Sequence, residues 1–377
     1  MKFLLVSYSI LTSGAFAQGP LAPPSAPAPS MKSLAQIEAR TAISATTNIS
    51  TPGSYYLTGD LAGEISIYAS DVTLDLNGFT IRNLYRAISV GNGESFKNIT
   101  IRNGSVVAPG VVTFTGAVAG GFSGAPGSLG IVVYGRTAGT VSAQNIHLEN
   151  LTVRGFQRGI QLSSAEEVDG GRHIISGCTV RDFGTYGIIA SQLILRDTVI
   201  QNGVGFAIYG NAIIAENLLV DRIIGIGISG DNQNLAHLNV RSCSGDGINS
   251  SYSRINGGQI SSCATGIVGS DNQIDSLSIN ACTSTGIFSP NSSITNVTAS
   301  QNAGAGIWAD SSTISNSIVR QSGADGIRGV NSVISLCKSS GNDTNTGDGY
   351  SAAGIVWNGG RQVDNVCDNY APAAPAP

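Results

Sequence analysis

Three carboxylates within four residues, Glu166, Glu167 and Asp169, could coordinate Ca²⁺ through oxygen ligands or serve as a paired acid and base. The competing reading is a solvated acidic turn neutralised by Arg172. A second set of chemistry-bearing side chains is spread at the pace of an internal repeat: Tyr209, Asn249, Phe288, Trp308 and Arg328, with Asp246 and Asp325 close by in sequence. Aromatic faces flanked by amide, carboxylate and guanidinium groups suit a polysaccharide, because sugar rings present apolar faces and polar rims. These residues are candidates for substrate binding if the fold brings them to one surface. His147, His173 and His237 have no ligand spacing to one another and read as surface side chains.

The repeat that would position them is a small residue followed by Ile. It recurs at Ile160, Ile188, Ile208, Ile228, Ile248, Ile267, Ile287, Ile307, Ile327 and Ile355, with successive intervals of 28, 20, 20, 20, 19, 20, 20, 20 and 28. Further apolar columns follow seven, ten and twelve residues after each Ile, as in Ile274, Leu277 and Ile279. Four inward positions in so long a period are too sparse for helices, which want an apolar residue every three or four. A leucine-rich repeat fits the start of the coil at Leu235, Leu238, Val240 and Cys243, but its next Leu is replaced by Gly245 and the Gly-Ile strand is extra.

Stacked loops of short strands fit better. Equivalent positions then lie about 4.8 Å apart, and Ile packs on Ile between coils that could not bury their apolar faces alone. The fold class expected is all-β: a single-stranded, right-handed parallel β-helix of about 20 residues per coil. Alternation puts the residue after each Ile outside, so Tyr209, Asn249, Phe288, Trp308 and Arg328 form one row; cover by flanking loops is the alternative. Arg154, Arg181, Arg241 and Arg320 fall in another outward slot, one past the twelve-residue column, and read as solvated.

Composition narrows the partner. Charged residues are 12% of the chain, against about 25% in an ordinary soluble domain. Acids exceed bases by 24 to 20, with no basic run, which leaves no general attraction for nucleic acid or an anionic membrane. Residues 1–17 read as a secretory signal, with Lys2, a short apolar stretch and cleavage after Ala17; no later segment is long and apolar enough to span a bilayer. Secretion or a periplasmic location is expected, with 18–30 a Pro/Ala linker, 31–370 one β-helix domain and 371–377 a Pro/Ala tail. A monomer is expected. The Gly-rich segment 108–130 loses the period and reads as a loop or irregular coil. Cys243, Cys263 and Cys282 share one register, where buried thiols fit better than bridges between side-by-side parallel strands.

The segments from Gly53 to Asp60 and from Val72 to Ile81 resemble the first coils of bacterial right-handed parallel β-helix proteins, the pectate-lyase-like superfamily. Residues 31–40 are similar to the leader of an exported, largely uncharacterised group within it. Ser33 with Leu34 and Ile37 independently suggests a short N-terminal capping helix. The resemblance implies an exported protein that binds a polysaccharide or cell-surface glycan and could cleave it by β-elimination. Enzymes of this kind use Asp-bound Ca²⁺ with an Arg or Lys base, so Ca²⁺ is the one cofactor it suggests. The closest matches to such a centre are Arg328 with Asp325, and then Asp246. Related hydrolases use clustered Asp residues, but the chain has no adjacent Asp-Asp, His-Gly or Arg-x-Lys, so a lyase fits better than a hydrolase. The rival reading is a surface or adhesion solenoid without catalysis.

Overall fold

The computed structural model describes residues 40–91, 96–115, 119–134, 143–162 and 171–342, with further strands up to residue 372. The signal, linker and capping-helix readings, the tail beyond Pro372, and most of 164–173 and 341–350, the stretches that lengthen the two 28-residue coils, lie outside the described residues.

The chain is an all-β parallel solenoid, a β-helix. Its ruling feature is one interior file of Ile. Ile160, Ile188, Ile208, Ile228, Ile248, Ile267, Ile287, Ile307, Ile327 and Ile355 pair in parallel from coil to coil. The file continues upstream through Ile131, Ile88 and Ile65. From Ile65 to Ile327 each of these side chains is fully buried. Burial of an Ile is worth roughly 1.5–3 kcal/mol, so the shared file, rather than any single coil, carries the stability. The glycine before the Ile has a steric cause: a Cβ on Gly286 would lie 2.5 Å from the Gly306 carbonyl oxygen and 2.7 Å from Asn302.

Corners are made by residues in the left-handed region, which in the later coils recur five residues apart within a coil. In the coil after Ile287 they are Asn291, Asn296 and Gln301, with φ of 55°, 54° and 56°. Asn tolerates this conformation better than most residues, which explains the Asn, Ser and Asp between the apolar columns. Each corner also resets the in-out alternation. Ile287, Ser289, Ser292, Ile294, Val297, Ala299 and Asn302 therefore all face inward and are buried.

Polar residues at these corners are thus interior. Gln233, Ser253, Asn272, Ser292, Ser312 and Ser332 form a buried polar ladder. Each side-chain oxygen from Ser253 onward accepts the backbone N–H of the preceding member at 2.9–3.1 Å. The Ser hydroxyls in turn donate to carbonyls two residues back, as Ser292 does to Pro290 at 2.9 Å. Corner N–H groups are thereby satisfied without water.

His173 corrects the surface reading. It starts the strand His173–Ser176, pairs with Leu193 and is fully buried, and among the described residues neither ring nitrogen has a hydrogen-bond partner. Burial, helped by the charge of His147, lowers its pKa from 6.5 to about 4. The unfolded chain then binds more protons than the folded one between those values, so stability falls as pH drops from 6.5 toward 4, by roughly 3 kcal/mol in full. His173→Leu, matching Leu193 on the next coil, is expected to remove most of that acid sensitivity. Thermal melts at pH 7 and pH 5 check it: the parent loses melting temperature between them and the variant loses far less.

Segment 108–130, read as a loop or irregular coil, contains regular strands. Val112–Thr115 and Ala119–Phe122 form an antiparallel hairpin, a sheet of its own. The hairpin lies against the flank at Leu193–Tyr209, and the Phe122 ring packs over Gly184, where a Cβ would come within 2.4 Å of it.

Candidate functional site

The outward row exists in register. Ile189, Tyr209, Ser229, Asn249, Val268, Phe288, Trp308, Arg328 and Val356 are consecutive partners in the parallel ladder next to the Ile file. Two positions upstream of the Ile, Arg158, Tyr186, Phe206 and Ile226 pair in a second outward file. The repeat length alone puts these side chains on one face, because each coil returns the same position one rung higher.

Three groups occupy this face. Near the C-terminal end, the Phe288 and Trp308 rings meet edge to face at 5.1 Å, and the Arg328 guanidinium lies 4.2 Å from the Trp308 ring centre. Trp308 Nε1 donates to Asp310 at 3.2 Å, and the other Asp310 oxygen accepts the Val330 N–H at 2.8 Å, which fixes the indole. Phe288 is 37% exposed; Trp308 and Arg328 are half-buried. In the middle, Asn249 donates to Asp246 at 3.2 Å. Toward the N-terminus, Tyr186 stacks on Phe206 at 5.5 Å, Tyr209 tilts against both, and Arg158 lies 5.9 Å from the Tyr186 ring while donating to Gln161. Ile189, at 4% exposure, is closed to solvent.

Asp325 and Arg328 flank Ile327 on one coil. Asn249 and Arg328 are four rungs apart along the ladder, about 19 Å. Asp246, three residues before Asn249, therefore does not join Arg328 at one bond. Glu166, Glu167 and Asp169 lie outside the described residues. Among the described residues, no group of three or more His, Cys, Asp or Glu is placed to hold a metal ion. Cys178, Cys243, Cys263, Cys282 and Cys337 are free and buried. Burial pushes the Cys178 thiol up to about 11 and the Cys282 thiol up to about 12, which makes them poor nucleophiles.

A further polar cluster on this face escaped the sequence reading. Ser66 and Ser89 are rungs of the same outward ladder, which runs through Val132 and Gln161 into Ile189. Glu64 accepts from Arg86 at 2.5 Å, from Ser89 at 2.7 Å and from Ser66 at 3.2 Å, and Arg86 also donates to the Tyr134 hydroxyl at 2.6 Å. Burial works against the charge on Glu64, but the Arg86 and Ser89 hydrogen bonds and the Arg86 charge bring it below the usual carboxylate range. Ser66 and Ser89 are buried, so the groups of this set that can exchange hydrogen bonds with sugar hydroxyls are Arg86, Glu64 and Tyr134, all half-buried. Its signal was the Ile file, blurred upstream by intervals of 23, 43 and 29 between Ile65, Ile88, Ile131 and Ile160.

No protein-family model and no curated protein sequence matches the chain. Among solved structures, it is similar to the A-module of mannuronan C-5 epimerase AlgE4 from Azotobacter vinelandii, at 14% identity over 84% of this chain and 86% of that one, with a TM-score of 0.39. It is also similar to the periplasmic alginate epimerase AlgG, at 12% identity over 83% and 76%, TM-score 0.41. The receptor binding domain of the siphovirus 9NA tailspike matches at 11% identity over 92% and 80%, TM-score 0.48. The chain's own parallel ladders, rather than these likenesses, define it as a β-helix protein. Among the described residues no helix is long and apolar enough to cross a membrane.

Proposed function

We propose that this protein binds an extended extracellular polysaccharide along the face beside the Ile file. The observation that supports this most is the consecutive run of Phe288, Trp308 and Arg328, whose indole is fixed by Asp310 and still reachable from solvent. A contiguous exposed apolar patch rimmed by polar groups marks an interaction site more often than a scattered exposed ring does. The second aromatic group at Tyr209 is four rungs from Phe288, about 19 Å, with Ser229, Asn249 and Val268 between. A polymer can bridge that span where a single sugar cannot. Arg328 suits a uronate carboxylate, and Asp246 with Asn249 suits hydroxyls.

Cleavage by β-elimination, with Arg328 and Asp325 as the reacting pair, is the enzymatic form of this proposal. A purely binding solenoid is favoured by the separation of Asp246 from that pair. The deciding experiment takes the mature chain, from Gln18, through a panel of neutral and acidic glycans with and without Ca²⁺. Retention is read by affinity electrophoresis, and release of a 4,5-unsaturated uronate by ultraviolet absorbance. Retention without absorbance is expected; absorbance would establish the lyase, and no retention by any glycan would end the proposal.

A further inference from the structure

One line of cations lies on a different strand of the coil and takes no part in the aromatic row. Arg82, Val107, Arg154, Arg181 and Gln201 are successive partners in the ladder one residue past the inward file of Ile81, Val106, Val153, Val180 and Ile200. Arg154 and Arg181 thus sit directly opposite each other on neighbouring strands, where like charges repel. Farther along the same file the charge is matched: Arg241 pairs with Asp221 at 3.0 and 3.4 Å. Among the described residues, neither Arg154 nor Arg181 has a side-chain hydrogen bond or an ion-pair partner.

Beside this line opens a cleft of about 390 Å³ between Arg82 and Arg154, lined also by Val107, Pro109 and Val111. Among the described residues no carboxylate lines it. Arg82 is held by Asp60 at 3.6 Å, and both are largely exposed, so that pair is weak and screened by water. Arg154 is half-buried, which strengthens its field relative to a fully solvated arginine. The line from Arg82 to Arg181 covers three rung steps, about 14 Å, more than one small anion can contact.

We infer that this flank is an anion-recognition site for a glycan bearing carboxylates or sulfates on successive units. The anions would bridge Arg82 to Arg154 across Val107 and relieve the repulsion between Arg154 and Arg181. The overall charge of −4 does not oppose this, because recognition is set by the local field. The site stands apart from the aromatic row, and either reading can fail alone.

The test measures binding of polygalacturonate, dextran sulfate and neutral dextran at low and high salt by biolayer interferometry. The proteins are the parent, Arg154→Gln/Arg181→Gln, and Trp308→Ala. The parent is expected to bind at least one polyanion, more weakly at high salt, and the double variant to lose at least about tenfold in that affinity and most of the salt dependence. Loss confined to polygalacturonate assigns carboxylates, loss confined to dextran sulfate assigns sulfates, and loss for both assigns the shared anion chemistry. Trp308→Ala keeps the salt-dependent component. The melting temperature of the double variant is expected to hold or rise, since a repulsion is removed; should it not fold, Arg181→Gln alone carries the comparison. Equal polyanion affinity in parent and variant, or no polyanion binding by the parent, overturns the inference.

Discussion

Ile287→Asp is expected to abolish cooperative folding of the mid-stack coils, while Phe288→Asp, one residue on, leaves the protein folded. Ile287 is fully buried and pairs with Ile267 below and Ile307 above, both fully buried themselves. A carboxylate there would have no cation or donor in the file, and a buried unpaired charge of this kind costs on the order of 5 kcal/mol or more. The damage is not local, because each coil of a solenoid is stable only through its neighbours and a break in the middle uncouples the two halves. Phe288 points outward, and its loss as a ring removes a contact with Trp308 worth about 1 kcal/mol. Urea unfolding followed by circular dichroism separates the two: loss or splitting of the transition for the first variant, a small shift of midpoint for the second. Similar shifts for both would mean that the in-out assignment of the strand is wrong.

Trp308→Ala is expected to weaken binding of the retained polysaccharide by roughly 30-fold, the effect of losing a central aromatic anchor. The indole holds the centre of its group, with Phe288 on one rung, Arg328 on the next and Asp310 fixing its N–H. Removing it takes away the stacking face and frees Arg328 at once. Trp308→Phe keeps a flat face and is expected to recover most of the affinity, which a merely steric role would not explain. Because Trp308 faces out, its melting temperature should move little. Isothermal titration with the best glycan from the panel reads both variants.

The sequence made the regular half of the fold legible because spacing near twenty is itself the rung spacing. Ile248, Ile267, Ile287 and Ile307 pile in a single interior file, and Tyr209, Asn249, Phe288, Trp308 and Arg328 follow in the neighbouring outward one. Other features were hidden by specific physics. Asn272 and Ser292 carry residue types that favour turns, and only the left-handed corner residues beside them, which shift the in-out phase, show that their side chains are buried. His173 looked exposed because it lies in the first 28-residue interval, where the twenty-residue spacing gives no register with Leu193. Glu64, Arg86 and Tyr134 come together from positions 22 and 48 residues apart, through coils of uneven length that no period reveals. The hairpin at 112–122 pairs only with itself, so it carries no repeat signal. For the catalytic candidates, sequence proximity to an Ile gave the face correctly but not the height along the axis, which separates Asp246 from Arg328.

The most direct measurement uses the protein's own reporter. The chain has two tryptophans, so Trp357→Phe leaves Trp308 as the sole source of indole emission. Titrating that variant with the retained glycan is expected to give a saturable change in intensity and wavelength, with the same midpoint as binding measured independently. Undisturbed Trp308 emission at saturation, together with unchanged affinity in Trp308→Ala, would show that the polymer docks elsewhere and that this face is not the binding site.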